Sequence, residues 1–184
     1  IELGDLDAKG AEIENVLAAV AVTMHKGISK YTVSTALCSF SRPQFRRAKV
    51  AQICGVDIFN DSKATNIAST VSAISAMDGD TVLLLGGSKK MENFDDLFLA
   101  IDKKVIGVFA YGENREEIAL SAKKFDVDLT VADSLEDATR KGFDFAKMIG
   151  AKNLLFSPAS KSFDAFSNYE ERGRFFDKVV KTLK

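Results

Sequence analysis

The sequence predicts an α/β protein with a Rossmann-like, doubly wound and mostly parallel sheet. An antiparallel hairpin strand opens the sheet, and a helical segment precedes it. Three observations carry this expectation. From Val56 onward, apolar β-prone runs alternate with amphipathic stretches, the rhythm of βαβ units packed with helices on both faces. The run Thr81-Val82-Leu83-Leu84-Leu85 shows no polar alternation and ends in Gly86-Gly87, as a strand buried on both faces does. Polar clusters follow three of the strands, where an open sheet binds its ligands.

Residues 1–42 read as helical and 43–184 as the α/β domain. Ile13, Leu17, Val20 and Met24 recur at steps of three and four, with Gly27 where a C-terminal cap belongs. Ser29 caps a second helix that turns Val33, Leu37 and Phe40 inward, and Pro43 marks the break. Cys54-Gly55 separates two short β-prone runs, suggesting a hairpin without an Asn-Gly turn. A helix follows with Ile67, Val71 and Ile74 on one face. Next come a turn at Met77–Asp80, the strand at 81–87 and a helix over 94–101. A strand at 105–110, a helix over 115–124 and a strand at 126–131 continue the alternation. Ser134 caps a helix reaching Ile149, Asn153–Phe156 is the last strand, and a helix runs from Asn168 to Leu183.

Bulk properties narrow the partners. Hydrophobic content of 46% with 28% charged residues is ordinary for a globular protein. A net charge of −1 provides no field for gathering nucleic acid or anionic lipid. No apolar run reaches membrane-spanning length, no signal peptide opens the chain, and Cys38 and Cys54 form neither a zinc set nor a disulfide framework. A cytoplasmic protein is expected. Ile1-Glu2-Leu3-Gly4 reads as the middle of a longer chain. The sole histidine, His25, lies near a helix C-terminus, and no Ser-His-Asp or Cys-His arrangement can be built around it.

The three polar loops run over Asp61–Asn66, Gly86–Asn93 and Ser157–Asn168, and should converge on one sheet edge. Their cations and hydroxyls, Lys63, Thr65, Lys90 and Ser162, suit an amino acid with two carboxylates. Hydrogen bonds to charged groups contribute roughly 1.5–3 kcal/mol each, so two or three can select such a ligand. Plainer readings stand beside this one. Asp, Ser, Thr and Asn all cap helices. Lys89 and Lys90 also read as solvated loop cations, Tyr169 as core aromatic surface, and Arg172 as the partner of a nearby carboxylate.

Asn60-Asp61-Ser62-Lys63-Ala64-Thr65-Asn66 resembles the signature of the Mur ligases, in the form carried by their D-glutamate-adding members. Leu84-Leu85-Gly86-Gly87-Ser88-Lys89-Lys90 is similar to that group's Leu-Leu-Gly-Gly-x-x-Lys. The stretch from Ser157-Pro158 through Ser162-Phe163-Asp164-Ala165-Phe166 to Tyr169 and Glu170-Glu171-Arg172-Gly173 matches a third motif. The resemblance implies the C-terminal domain of an ADP-forming amide ligase of peptidoglycan synthesis, preceded in 1–42 by the end of its central ATPase domain. Such an enzyme uses ATP with magnesium to make an acyl phosphate on UDP-N-acetylmuramoyl-L-alanine, which the D-glutamate amine attacks.

Carried across, Thr65, Lys90 and Ser162 would hold D-glutamate, with Phe163 and Tyr169 shaping its pocket. Asp61 would face the ribose of ATP and Arg46 the phosphates. Lys63 would face the phosphates or the reacting carboxylate, as the catalytic residue. No metal ligand is implied. The chain holds no Gly-x-x-x-x-Gly-Lys-Ser/Thr loop, so ATP and magnesium would be held mainly by other domains and the chain alone would be inactive. The helices of 1–42, without their usual neighbours, would offer a surface for a dimer.

Ala11-Glu12 stands where the family has His-Asn, and Phe45-Arg46-Arg47-Ala48 where it has His-Arg-x-Glu. These departures keep a second reading open: a non-catalytic Rossmann-like module, a divergent paralogue that binds a ligand or partner.

Overall fold

The computed structural model describes residues 11–40, 43–89, 93–101 and 103–184. It divides into two units, one ending at Pro43 and the other running from Gln44 to Lys184.

In the first unit, helix α1 (Ala11–His25) and helix α2 (Lys30–Ser39) are joined through Gly27, whose φ of 79° ends α1. The Ser29 hydroxyl accepts from the Thr32 N–H at 3.1 Å and so caps α2. The predicted inward faces are only partly realised. Ile13, Val20, Val33 and Leu37 are half-buried, but Leu17, Met24 and Phe40 are exposed. Two short helices share a single seam, and Phe40 has already left the helix with extended backbone as the C-cap of α2.

The second unit holds strand β1 (Ala48–Ile53), β2 (Val56–Asn60), helix α3 (Ile67–Ser75), β3 (Thr81–Gly87), α4 (Phe94–Ala100) and β4 (Val105–Gly112). Helix α5 (Arg115–Lys124), β5 (Leu129–Val131), α6 (Leu135–Ile149), β6 (Asn153–Phe156) and α7 (Tyr169–Val180) complete it. The sheet order is β1-β2-β6-β3-β4-β5, parallel except for β1, as the fold class anticipated. Cys54 and Gly55 both take positive φ, 50° and 83°, which twists the two-residue hairpin turn to match its strands.

Alternate strand residues feed two cores. Val82, Leu84, Leu154 and Phe156 pack with Phe143 and Ala146 of α6 and Phe176 of α7. Leu83, Leu85 and Leu155 pack on the opposite face with Ile74 of α3, Leu97 of α4 and Ile118 of α5. The strand predicted at 126–131 is shorter at its start. Asp126 sits at φ 54° and the Val127 N–H returns to the Ala122 carbonyl, so these residues close α5 instead. Helix α7 likewise stops at Val180, short of the expected Leu183.

Strand β6 lies between β2 and β3, with Asn60 opposite Phe156 and Phe156 opposite Leu84. The chain leaves β2 and β3 toward one face, through α3 and α4, and leaves β6 toward the other, through α7. The carboxyl ends of these three neighbours therefore form a topological switch point, where an α/β sheet opens a crevice.

Candidate functional site

Asp61 is the first residue beyond β2 and is only 4% exposed. One carboxylate oxygen accepts from the Arg47 N–H at 3.0 Å and the other from the Ser157 hydroxyl at 2.8 Å. It thus ties the turn before β1 to the loop after β6. Burial outweighs these contacts and the nearby Arg46 and Arg47 charges, and pushes its pKa up to about 6. The turn it holds is strained, with Phe45 and Arg47 both at positive φ, 62° and 47°. Asn60 acts beside it, donating from Nδ2 to the Gly173 carbonyl and to Asp177 on α7, and accepting from the Ser62 N–H.

Arg172 is fully buried. Its Nε donates to the Ser62 hydroxyl at 3.0 Å and its Nη2 to the Ser62 carbonyl at 2.7 Å, while Nη1 donates to the Ser160 carbonyl at 2.8 Å. The expectation of a local carboxylate partner is corrected here: none of these three bonds goes to a carboxylate. The fork reaches acceptors on two different loops, a geometry that a guanidinium spans and an ammonium does not. The Ser62 hydroxyl donates in turn to the Tyr169 carbonyl at 2.8 Å. Asp164 lies near enough to feel the Arg172 charge, although burial still raises its pKa above the ordinary carboxylate range.

The middle loop joins the same system. Gly86 and Gly87 take φ of 121° and 155°, and a Cβ on Gly86 would stand 1.9 Å from the Tyr111 carbonyl oxygen. The Gly86 N–H donates to the Pro158 carbonyl and the Ser88 N–H to the Lys161 carbonyl, each at 2.9 Å. The Ser88 hydroxyl accepts from the Asp164 N–H at 3.0 Å. The three loops therefore converge, as the sequence led one to expect.

A fourth loop, at the end of β4, also takes part. Asn114, 1% exposed, accepts at Oδ1 from the Gly87 N–H at 3.0 Å and donates from Nδ2 to the Ser160 hydroxyl at 2.8 Å. Sequence reasoning passed over Asn114. The available signal was the polar pair Glu113-Asn114 directly after a parallel strand.

The predicted site residues fall as follows. The Lys63 ammonium is 5.7 Å from the centre of the Tyr169 ring, and both residues are half-buried. Thr65 is half-buried at the entry to α3, whose cap is Asn66, accepting from the Ser69 N–H at 2.9 Å. Ser162 is 2% exposed and its carbonyl accepts from the Ala165 and Phe166 N–H groups, whereas Phe163 is 67% exposed. Arg46 is exposed on the turn that Asp61 holds. Lys90 lies outside the described residues. Lys89 pairs with Glu117 at 3.0 Å. Among the described residues no group of three or more His, Cys, Asp or Glu could hold a metal ion, and no helix is long and apolar enough to cross a membrane.

The fold resembles parts of solved Mur ligase and folylpolyglutamate synthase structures. A MurF structure from Acinetobacter baumannii superposes with a TM-score of 0.68 at 15% identity, covering 93% of this chain and 38% of that one. A folylpolyglutamate synthase from Mycobacterium tuberculosis, complexed with ADP and AMPPCP, gives 0.65 at 15% identity over 87% of this chain and 38% of its own. No protein-family model matches the chain.

By sequence the chain is a relative of UDP-N-acetylmuramoylalanine–D-glutamate ligase. It is 37% identical over 175 residues to the Caldanaerobacter subterraneus protein of that name, covering 94% of this chain and 38% of that one. It is 38% identical over 171 residues to the Chlorobium chlorochromatii protein, covering 93% and 36%. The chain thus spans little more than a third of the length of these curated relatives.

Proposed function

We propose that the chain is the C-terminal part of an ATP-dependent, ADP-forming amide ligase that adds D-glutamate to UDP-N-acetylmuramoyl-L-alanine in peptidoglycan synthesis. The carrying observation is the relation, along 94% of the chain, to ligases named for that reaction. The convergence of the three loops that bear the resemblance supports it. In this reading residues 43–184 form the amino-acid domain and 1–42 the end of the ATPase domain. Thr65, Ser162 and Lys90 bind the two carboxylates of D-glutamate, and Phe163 and Tyr169 wall the pocket. Lys63, steadied over Tyr169, faces the phosphates or the reacting carboxylate. Arg46 takes phosphate oxygens, and Asp61 serves the nucleotide side by holding the Arg46–Arg47 turn as well as by facing the ribose.

ATP, bound with magnesium mainly by other parts of the ligase, supplies the activating phosphoryl group. This domain's share is to close over the nucleotide, present the amine and exclude water. The chain by itself is then inactive. The exposed Leu17, Met24 and Phe40 are covered by the rest of the ligase in the full-length cytoplasmic protein, and a dimer through them forms only where that cover is missing.

The test is phosphate release by the full-length protein given UDP-N-acetylmuramoyl-L-alanine, magnesium-ATP and D-glutamate, with Lys90→Ala alongside. Release that depends on D-glutamate and is abolished by Lys90→Ala is expected. A folded protein that releases no phosphate with any amino acid would instead be a non-catalytic module.

A further inference from the structure

The fourth loop has no part in the reaction as proposed, yet it is the piece on which two of the amino-acid loops rest. Asn114 makes three hydrogen bonds across it. Its Oδ1 accepts from the Gly87 N–H at 3.0 Å, its own N–H donates to the Gly87 carbonyl at 3.3 Å, and its Nδ2 donates to the Ser160 hydroxyl at 2.8 Å. Gly87 precedes Lys90 by three positions and Ser160 precedes Ser162 by two. The carboxylate of Glu113, which precedes Asn114, accepts from the Lys89 N–H at 3.1 Å, and Glu117 on α5 pairs with the Lys89 ammonium. Each of these contacts falls within three positions, along the chain, of a residue assigned to D-glutamate in that reading.

Resting on that functional reading, we propose that Asn114 is a positioning residue that sets the spacing between the Gly86–Lys89 stretch and the Ser157–Ser162 loop, and hence the fit of the dicarboxylate amino acid. A carboxamide suits this place because it offers an acceptor and a donor on one rigid plane. The Gly87 N–H cannot be left unpaired inside the fold without cost, and Ser160 is held on the far side by its carbonyl bond to Arg172. Asn114 therefore couples the middle loop to the third loop, while Asp61 and Arg172 couple the third loop to the first. Displacing such loops by a fraction of an ångström weakens the ligand they share without touching the nucleotide side.

Steady-state kinetics of the full-length ligase test this. Asn114→Ala should raise the KM for D-glutamate about tenfold or more, with the KM for ATP and kcat within about twofold of the parent. Asn114→Asp should restore most of the loss, because its carboxylate still accepts from Gly87 and the Ser160 hydroxyl can turn to donate to it. Ser160→Ala, which removes one arm only, should give an intermediate KM and keeps the test open should Asn114→Ala fold poorly. An unchanged KM for D-glutamate in folded Asn114→Ala or Ser160→Ala overturns the proposal. So does a loss shared equally by both KM values and kcat, which marks a purely structural residue. A parent protein without D-glutamate-dependent phosphate release overturns the functional reading itself, and is told apart by being visible before any substitution.

Discussion

Replacing Arg172 by Met should destabilise the 44–184 unit more than any other single polar change at the sheet edge. The guanidinium makes three hydrogen bonds, two of them to the carbonyls of Ser62 and Ser160, and it is fully buried. Bonds from a charged donor contribute roughly 1.5–3 kcal/mol each, which places the gross loss at roughly 5–9 kcal/mol. Against this stands the desolvation of a buried cation, several kcal/mol that Met no longer suffers. The expected net loss is about 3–5 kcal/mol. For a unit of this size, Tm falls about 3 °C per kcal/mol, so a drop of about 10–15 °C follows. Thermal and urea unfolding followed by circular dichroism would measure it. Arg172→Lys should recover less than half, since one ammonium cannot span Ser62 and Ser160 together. A loss below about 1 kcal/mol for Arg172→Met would refute the idea that this side chain ties the loops.

Asp61 carries a pH signature: its folded pKa is raised to about 6 by burial, so ionisation costs the folded state. The associated stability is present below the unfolded pKa of about 4 and is lost as pH rises through about 6, by roughly 3 kcal/mol. Asp61→Asn should flatten the Tm profile between pH 4 and 7, and an unchanged slope would count against the assignment. A Cβ at Gly173 would stand 2.4 Å from the Phe45 ring, so Gly173→Ala should cost about 1–3 kcal/mol by overpacking. The same substitution in a Phe45→Ala background should cost almost nothing, and additivity in that double-mutant cycle would exclude the contact. Lys63→Ala should lower D-glutamate-dependent phosphate release about a hundredfold or more. Its Tm should stay within a few degrees, since a cation over an aromatic ring, as Lys63 lies over Tyr169, contributes only about 0.5–1 kcal/mol at a solvent-accessible site; retained activity would remove Lys63 from the chemistry.

Most elements of the second unit were legible because their causes are local. Asn66, Ser134 and Asn168 each accept the N–H three residues on, and these caps are read from a few neighbouring letters. The unbroken apolar run of β3 announced a strand covered on both faces, and all seven of its residues are buried. The edges of elements were less legible. Whether Asp126 opens a strand or closes a helix turns on one backbone angle, which a propensity for either state does not set.

The loops after β2, β3 and β6 could be named from the sequence, as could the residue types in them, because a polar cluster behind an apolar run is a local pattern. What brings those loops together is not local. Only the insertion of β6 between β2 and β3 makes their ends neighbours. Arg172 reads in the sequence as the partner of a nearby carboxylate and Asn114 draws no reading at all, until the fold buries both. Their partners lie as far away as Ser62, 110 positions from Arg172, and Ser160, 46 positions from Asn114. Periodicity and capping depend on energies exchanged within one or two turns of chain. The satisfaction of a buried donor depends on which distant carbonyl the packed sheet delivers to it, and that is decided only when the two cores close.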